Sequence, residues 1–217
     1  YGSQIRTHYP RHPSEEMEIM ERELTLFAGA IPSGEVPRFM KEIVAEISAV
    51  ARKSPEVNQK AGVSVRLSIC NFEVLLSSAQ RRAIKLRETV AIPRVSDLVA
   101  LQASILGKIE LESLEEGAWD RVIDTIVQKA VLNVFNRYFT VQDFAGLIQR
   151  FEGGLKVDVS DETPAGHYVG LAEVLGGLGS SLSKLGVGDE PPALASAVEF
   201  ILEGLHLNRR LNRERLG

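Results

Sequence analysis

The sequence predicts an all-α protein: a helical bundle followed by a second helical region, with one short isolated strand before them. Two observations support this prediction. Apolar residues recur every three or four positions over most of the 217 residues, which is the spacing of one face of a helix. Only residues 4–9 suggest a strand, and a stable sheet needs about three strands or a covering helix.

The first half of the chain contains four amphipathic stretches. Their apolar faces are formed by Met17, Met20 and Leu24, by Met40, Ile43 and Ile47, by Ile69, Phe72 and Leu76, and by Leu98, Leu101 and Ile105. Ser14 and Ser96 are suitable N-caps for the first and fourth helices. The second helix should end near Ser54, because Pro55 disfavours helical geometry at the residue before it. Packing of these stripes predicts a bundle.

The second half is also predicted to be helical. We expect helices at about 119–138, 141–151, 168–185 and 193–211, with a polar loop at 153–164. Four glycines weaken the third of these helices, because glycine is a poor helix former: Gly170, Gly176, Gly177 and Gly179.

Composition and charge limit the possible functions. The formal net charge of −4 gives no reason to expect nucleic-acid binding, which needs an excess of cations on one face. The arginine-rich tail at 209–215 is interpreted as the solvated end of a helix, where cations complement the helix dipole. No apolar run is long enough to cross a membrane, so we expect a cytoplasmic protein. The chain opens at Tyr1 without methionine, which suggests a fragment or a processed product.

The sequence contains no complete catalytic or metal-binding motif. Gly107 and Lys108 lack the upstream glycine of a phosphate-binding loop, and the glycines around Gly176 fit a kinked helix better than a nucleotide site. His8 and His12 are separated by Pro10 and cannot share a helix face, so no metal site is expected. From motifs alone, the chain has no visible catalytic residues.

Several segments, in a fixed order, carry a resemblance to a known family. Residues 1–10 resemble the last core strand of an AAA+ ATPase, just after the step that holds the arginine finger. Residues 15–22 look like the acidic helix that opens the lid domain in MoxR proteins and in magnesium chelatase subunit I. Residues 61–68 are similar to the segment that contains the sensor-2 arginine, which is Arg66 here, although Val65 stands where that family often has proline. Residues 90–98 occupy the place of a further family motif, so the resemblance covers about residues 1–111.

The resemblance implies a division of the chain. Residues 1–13 would be the end of a truncated AAA+ core, residues 14–111 the helical lid with sensor 2, and residues 112–217 a C-terminal helical extension. It also implies that the full-length protein binds ATP and Mg²⁺, forms a hexameric ring and uses hydrolysis to remodel a partner protein. A partner with a von Willebrand A domain is known in related systems. This fragment alone would hold no cofactor and no catalytic residue.

Arg66 is the single site residue that the resemblance assigns, as the contact to the γ-phosphate of ATP. A guanidinium at a helix start adds to the positive end of the dipole and is a poor choice for stability alone. It is a good choice for an anion, which meets both the dipole and a bidentate donor. The alternative interpretation is a surface arginine paired with a carboxylate.

Two other functions stay open at this point. The chain could be a stand-alone helical adaptor that only binds protein. It could also be a helix-turn-helix module that reads DNA through the basic tail, although the overall acidity of the chain argues against this. The sequence does not decide whether the motor would serve metal insertion, complex maturation or transcription.

Overall fold

The protein is all-α in the computed structural model, which describes residues 3, 8–24, 32–112 and 118–213. These residues form nine α-helices, with two short 3₁₀ helices, Val95–Ala100 and Val141–Phe144, leading into the fourth and the sixth. The helices are α1 Pro13–Glu23, α2 Arg38–Ala51, α3 Arg66–Leu86, α4 Leu101–Leu106, α5 Ala118–Tyr138, α6 Ala145–Glu152, α7 His167–Leu175, α8 Gly179–Leu185 and α9 Pro191–Leu207.

The prediction of an all-α fold is confirmed. The predicted strand at 4–9 falls largely outside the described residues, and its last two residues, His8 and Tyr9, are not in a strand. Extended pairing within the described ranges is limited to two isolated bridges, Ser33 with Ala91 and Val57 with Leu111. No helix in this part of the chain is long and apolar enough to span a bilayer.

Three helix boundaries differ from the sequence prediction for local reasons. The N-cap of α1 is His12 rather than Ser14, because Pro13 takes the first helical position, where its fixed φ and missing N–H are well tolerated. Ser96 is inside the 3₁₀ helix, whose entry is fixed instead by Asp97 accepting from the Arg94 amide at 2.9 Å. The helix expected at 168–185 is divided into α7 and α8.

The break between α7 and α8 is due to two adjacent glycines. Gly176 and Gly177 have φ values of +61° and +69°. Side chains other than glycine rarely adopt this left-handed region. Gly170 and Gly179, by contrast, are inside helices, so only two of the four glycines interrupt the element.

α2 is the central helix of the bundle. Its sides pack against α1, α3 and, most extensively, α5, which in turn packs against α9. Its side chains from Phe39 to Ile47 are almost all buried. Even its buried carboxylate Glu46 is used in packing, since it accepts hydrogen bonds from Asn133 and Arg137 of α5.

Aromatic rings join α2, α5 and α9. Phe39 of α2 stacks on Phe200 of α9 with ring centroids 4.5 Å apart. Phe135 of α5 contacts Phe200 at 5.9 Å and Phe144 at 5.9 Å. Offset and edge-to-face pairs of this kind add to the stabilisation from apolar burial.

The apolar core continues from the first half of the chain into the second. A single cluster of buried side chains extends from Met20 to Leu205 and includes both Ile105 of α4 and Ile126 of α5. The division of the chain at residue 112 is therefore not marked by a gap in packing. The proposed functional division into 14–111 and 112–217 stays a prediction.

Candidate functional site

Arg66 is the first residue of α3 and its side chain is exposed. Its backbone N–H donates to the Ser64 hydroxyl at 3.2 Å. The first turn of α3 contains no acidic residue, and the N-cap, Val65, offers no side-chain acceptor. Within the described ranges, no carboxylate pairs with the Arg66 guanidinium. The positive end of a 21-residue helix and a guanidinium therefore face solvent together.

A buried polar cluster supports this end of α3 from below. Arg52, at the end of α2, forms a bidentate ion pair with Glu16 of α1, at 2.7 and 2.8 Å. The Arg52 Nε also donates to the Val63 carbonyl at 3.1 Å. The Ser68 hydroxyl, in the first turn of α3, donates to Glu16 at 2.6 Å. Only 3% of the Glu16 side chain and 12% of the Arg52 side chain are exposed, and bidentate pairs are strongly directional.

Tyr9 connects the segment before α1 to the same cluster. The Arg52 guanidinium lies over its ring, 4.6 Å from the centroid, and its hydroxyl accepts a hydrogen bond from the Val63 N–H at 3.1 Å. Gly62 makes this contact possible, because a Cβ there would lie 2.6 Å from the Tyr9 hydroxyl. The φ of Gly62, +74°, also favours glycine.

No local sequence pattern predicts the cluster of Tyr9, Glu16, Arg52 and Ser68. Residues 15–22 were interpreted only as an acidic helix, whereas the Glu16 side chain is buried. Its partners are 36 and 52 residues away, so no local spacing reveals them. The one available signal was that Glu16 precedes Met20 by four residues, which places it on the apolar face of the helix.

A second buried polar network links the end of α3 to α9. Arg82 binds Asp97 at 3.0 Å and Glu88 at 3.0 Å. Arg94, fully buried, binds Glu88 at 2.7 Å and the Thr163 carbonyl at 2.7 Å. Asp97 and Glu88 thus each hold elements that are distant in sequence, as expected of a buried network whose members are nearly all satisfied. Among the described side chains, the Arg94 Nε is a buried donor without a partner.

Glu199 of α9 is the third carboxylate of this network. It accepts from the Tyr168 hydroxyl at 2.7 Å and from the Ser96 N–H at 2.8 Å, and lies 4.0 Å from Arg94. Burial raises the pKa of Glu199, and these hydrogen bonds and Arg94 offset only part of that effect. Burial, followed by the nearby Glu199 carboxylate, also raises the pKa of Tyr168. The desolvated carboxylate is held by donors on both sides.

A groove of about 1200 Å³ is open to solvent next to this network, and Glu88 is among its lining residues. The segments that enclose it are residues 34–38, 87–92, 137–138, 165–166 and 183–193. Its walls are mainly apolar, and its rim includes Arg87 and Lys184. Burial, together with the Glu42 carboxylate, raises the pKa of Tyr138 in its wall to about 12.

Arg87 has unusual backbone geometry for a residue of this groove. Its φ is +56°, at the left-handed position that ends α3. The Glu88 N–H bonds to the Ala83 carbonyl and the Arg87 N–H bonds to the Ile84 carbonyl, which is a Schellman motif that usually has glycine at this position. The Arg87 side chain is exposed and has no ion-pair partner in the described part of the chain.

The other residues considered from sequence are scattered. His8, His12 and His167 are exposed, and His206 lies near the Leu211 carbonyl, 3.0 Å from its Nδ1. No group of three histidine, cysteine or acidic side chains in the described ranges could hold a metal ion. Gly107 ends α4, and the following Lys108 is exposed. In the tail, Arg213 pairs with Glu203 at 3.0 Å, and Arg215 lies outside the described residues.

These features define an all-α helical bundle with an exposed cation at the start of a long helix, braced by a buried ion pair. Comparisons with protein-family models, curated proteins and solved structures found no match for this chain. The chain is therefore characterised by its fold and its charged clusters.

Proposed function

We propose that this chain is the helical lid and C-terminal region of an AAA+ ATPase related to magnesium chelatase subunit I and MoxR. The observation that carries the proposal is Arg66, exposed and without an ion-pair partner among the described residues, at the start of α3, whose first turn contains no acidic residue. The resemblance of residues 1–111 to that family, with Arg66 at the sensor-2 position, supports the same role. The protein would be cytoplasmic and would assemble into a ring.

In this proposal Arg66 acts on the γ-phosphate of ATP held by a nucleotide-binding core, its own or that of a neighbouring subunit. The guanidinium and the positive end of the α3 dipole both favour an anion. An arginine that contacts the transferred phosphoryl group offsets its developing charge. Because Arg66 is part of α3, its contact with ATP would also set the position of the bundle. Mg²⁺ and the remaining phosphate contacts belong to the core.

The test is Arg66→Ala in the full-length protein, with Arg81→Ala as the matched control. Arg81 is an exposed arginine on the same helix, four turns further on, with no ion pair in the described part of the chain. By analogy with other transition-state donors, we expect Arg66→Ala to lower ATP turnover about a hundredfold or more, with little change in ATP affinity. Arg81→Ala should leave both unchanged. Equal turnover in the two variants would refute the sensor assignment.

A specific observation favours a second candidate, a helical adaptor that only binds protein. Arg87 adopts a left-handed conformation that costs a non-glycine residue about 1 kcal/mol or more, and it does so at the rim of the groove. Such strain at an exposed residue favours a role in binding. Under the first proposal this groove, which residues of both 14–111 and 112–217 line, would receive the remodelled partner, for example a von Willebrand A domain.

The two candidates are separated by the coding sequence upstream of Tyr1 and by one variant. A phosphate-binding loop within about 250 residues, the size of one core domain, favours the ATPase. Arg87→Gly relieves the backbone strain and removes the guanidinium. We expect it to stabilise the fold and weaken partner binding while ATP turnover without partner stays the same. Loss of that basal turnover would contradict a pure binding role for Arg87.

A further inference from the structure

The cluster around Arg52 contacts the segment before α1, the loop before α3 and the first turn of α3 at the same time. We name the four side chains Tyr9, Glu16, Arg52 and Ser68 the Arg52 clamp. Arg52 touches Tyr9 through its guanidinium face and Glu16 through its edge. Ser68 extends the contact into α3. One buried cation therefore joins three chain segments that are far apart in sequence.

We propose that the Arg52 clamp positions Arg66, so that a movement of residues 8–12 is passed to the start of α3. This inference rests on the proposed function for its consequence, because residues 1–13 would then be the connection to the nucleotide-binding core. Its structural part stands on the contacts alone.

The geometry gives the clamp two routes to Arg66. One passes from Tyr9 to the Val63 N–H at 3.1 Å and along the three bonded residues that precede Arg66. The other passes from Arg52 through Glu16 to the Ser68 hydroxyl, two residues beyond Arg66 on the same helical turn. Because Val63 before Arg66 and Ser68 after it are both held by the clamp, the backbone position of Arg66 depends on the position of residues 8–12.

The packing around the Arg52 clamp restricts movement of α3 relative to α1 and α2. The Ser68 hydroxyl also bonds to the Ser48 hydroxyl of α2 at 2.5 Å, so Glu16 and α2 share a buried hydrogen-bond network. Gly62 leaves room for Tyr9, because a Cβ at this position would lie 2.6 Å from the tyrosine hydroxyl. Tyr9 is nonetheless 47% exposed, so it can be changed without removing a core residue.

The first experiment is amide hydrogen exchange on this chain with Tyr9→Phe. This variant keeps the ring against Arg52 and removes only the hydroxyl that holds the Val63 N–H. We expect exchange at residues 61–68 to accelerate about fivefold, the effect of losing one hydrogen bond, while α9 is unchanged. Tyr138→Phe is the control and should leave residues 61–68 unaffected. Unchanged exchange in Tyr9→Phe, or acceleration throughout the molecule, would overturn the inference.

The second experiment measures ATP hydrolysis in the full-length protein. Tyr9→Ala should lower kcat about tenfold to a hundredfold with KM nearly unchanged, because a displaced catalytic group loses its productive geometry. In an Arg66→Ala background the same change should have no further effect, since it acts through Arg66. Additive losses would overturn the positioning role. If Arg66→Ala alone has no effect, the proposed function fails, and hydrogen exchange still decides whether the clamp holds α3.

Discussion

The packing of α9 against α5 predicts that the same substitution, glycine to alanine, has opposite effects at two helical positions. Gly204 is buried in α9, and a Cβ there would lie 2.6 Å from Cε2 of Phe135, with Cδ2 and Cγ closer still. Gly170 is exposed in α7, and a Cβ there would meet nothing within 4 Å. Helix propensity alone favours alanine at both positions.

The magnitude follows from the room that Phe135 has. Ordinary van der Waals contact begins at 3.4 Å, so the ring or the helix must retreat by more than about 0.8 Å, and Phe139, Phe144 and Phe200 surround the ring. Overpacking of this kind costs about 3 kcal/mol, and the gain in helix propensity returns about 1 kcal/mol. We expect Gly204→Ala to lower the free energy of unfolding by about 2 kcal/mol. Gly170→Ala should raise it by up to about 1 kcal/mol.

Urea unfolding of the wild type and the two variants, followed by circular dichroism, measures the difference. The m-value should stay constant if only native-state stability changes. A double-mutant cycle with Phe135→Leu supplies the control, because a smaller side chain should make Gly204→Ala less costly. A Gly204→Ala variant as stable as Gly170→Ala would refute the close approach of α9 to Phe135.

Three further predictions concern the charged and titratable groups. Arg94→Met should lower the free energy of unfolding by about 3–5 kcal/mol, because it leaves buried carboxylates unpaired. Lys85→Met is the control and should change this free energy little, since Lys85 forms an exposed ion pair with Glu162. Equal effects of the two substitutions in urea unfolding would contradict a stabilising role for the buried network. The stability of the wild type should fall as the pH rises from about 4.5 through the raised pKa of Glu199, since the unfolded chain ionises first. Glu199→Gln should remove that dependence, and a matching decline in the variant would exclude Glu199 as its source. In an ultraviolet titration Tyr138 should ionise near pH 12, and Glu42→Gln should lower that pKa; a wild-type midpoint near 10 would contradict the contact.

The sequence predicted the presence of the helices better than it predicted where they begin and end. The apolar stripe at Ile69, Phe72 and Leu76 correctly predicted the helix α3, because spacing along one face is a local property. Ser14 and Ser96 were wrong as N-caps, because proline at the first helical position and a carboxylate three residues on fix those ends instead. The division between α7 and α8 needed the backbone conformation of two particular glycines, which composition alone does not distinguish from Gly170.

The charged clusters could not be predicted from local sequence patterns, because their members are far apart in the chain. Glu199 meets the Ser96 amide across 103 residues, and Arg52 meets Glu16 across 36. A carboxylate in a helix is assigned to solvent by default, and only the fold shows which ones are buried with a partner. Arg66 was identified through resemblance, and the structure adds its exposure and its support rather than its role.

The continuity of the core bears on how the proposed lid would act. If Arg66 responds to nucleotide, α3 moves with it, and Arg82 near the other end of α3 is bound to Asp97 and Glu88 inside the molecule. Glu88 in turn accepts from Arg94 and from the Ala165 amide, and the rim of the groove begins at Arg87, directly beside it. Buried charge pairs resist separation, because each partner left alone carries a large desolvation cost. A displacement of the start of α3 would therefore move the whole helix rather than rearrange it locally. The movement would reach the groove, which begins some 20 residues further along the same helix.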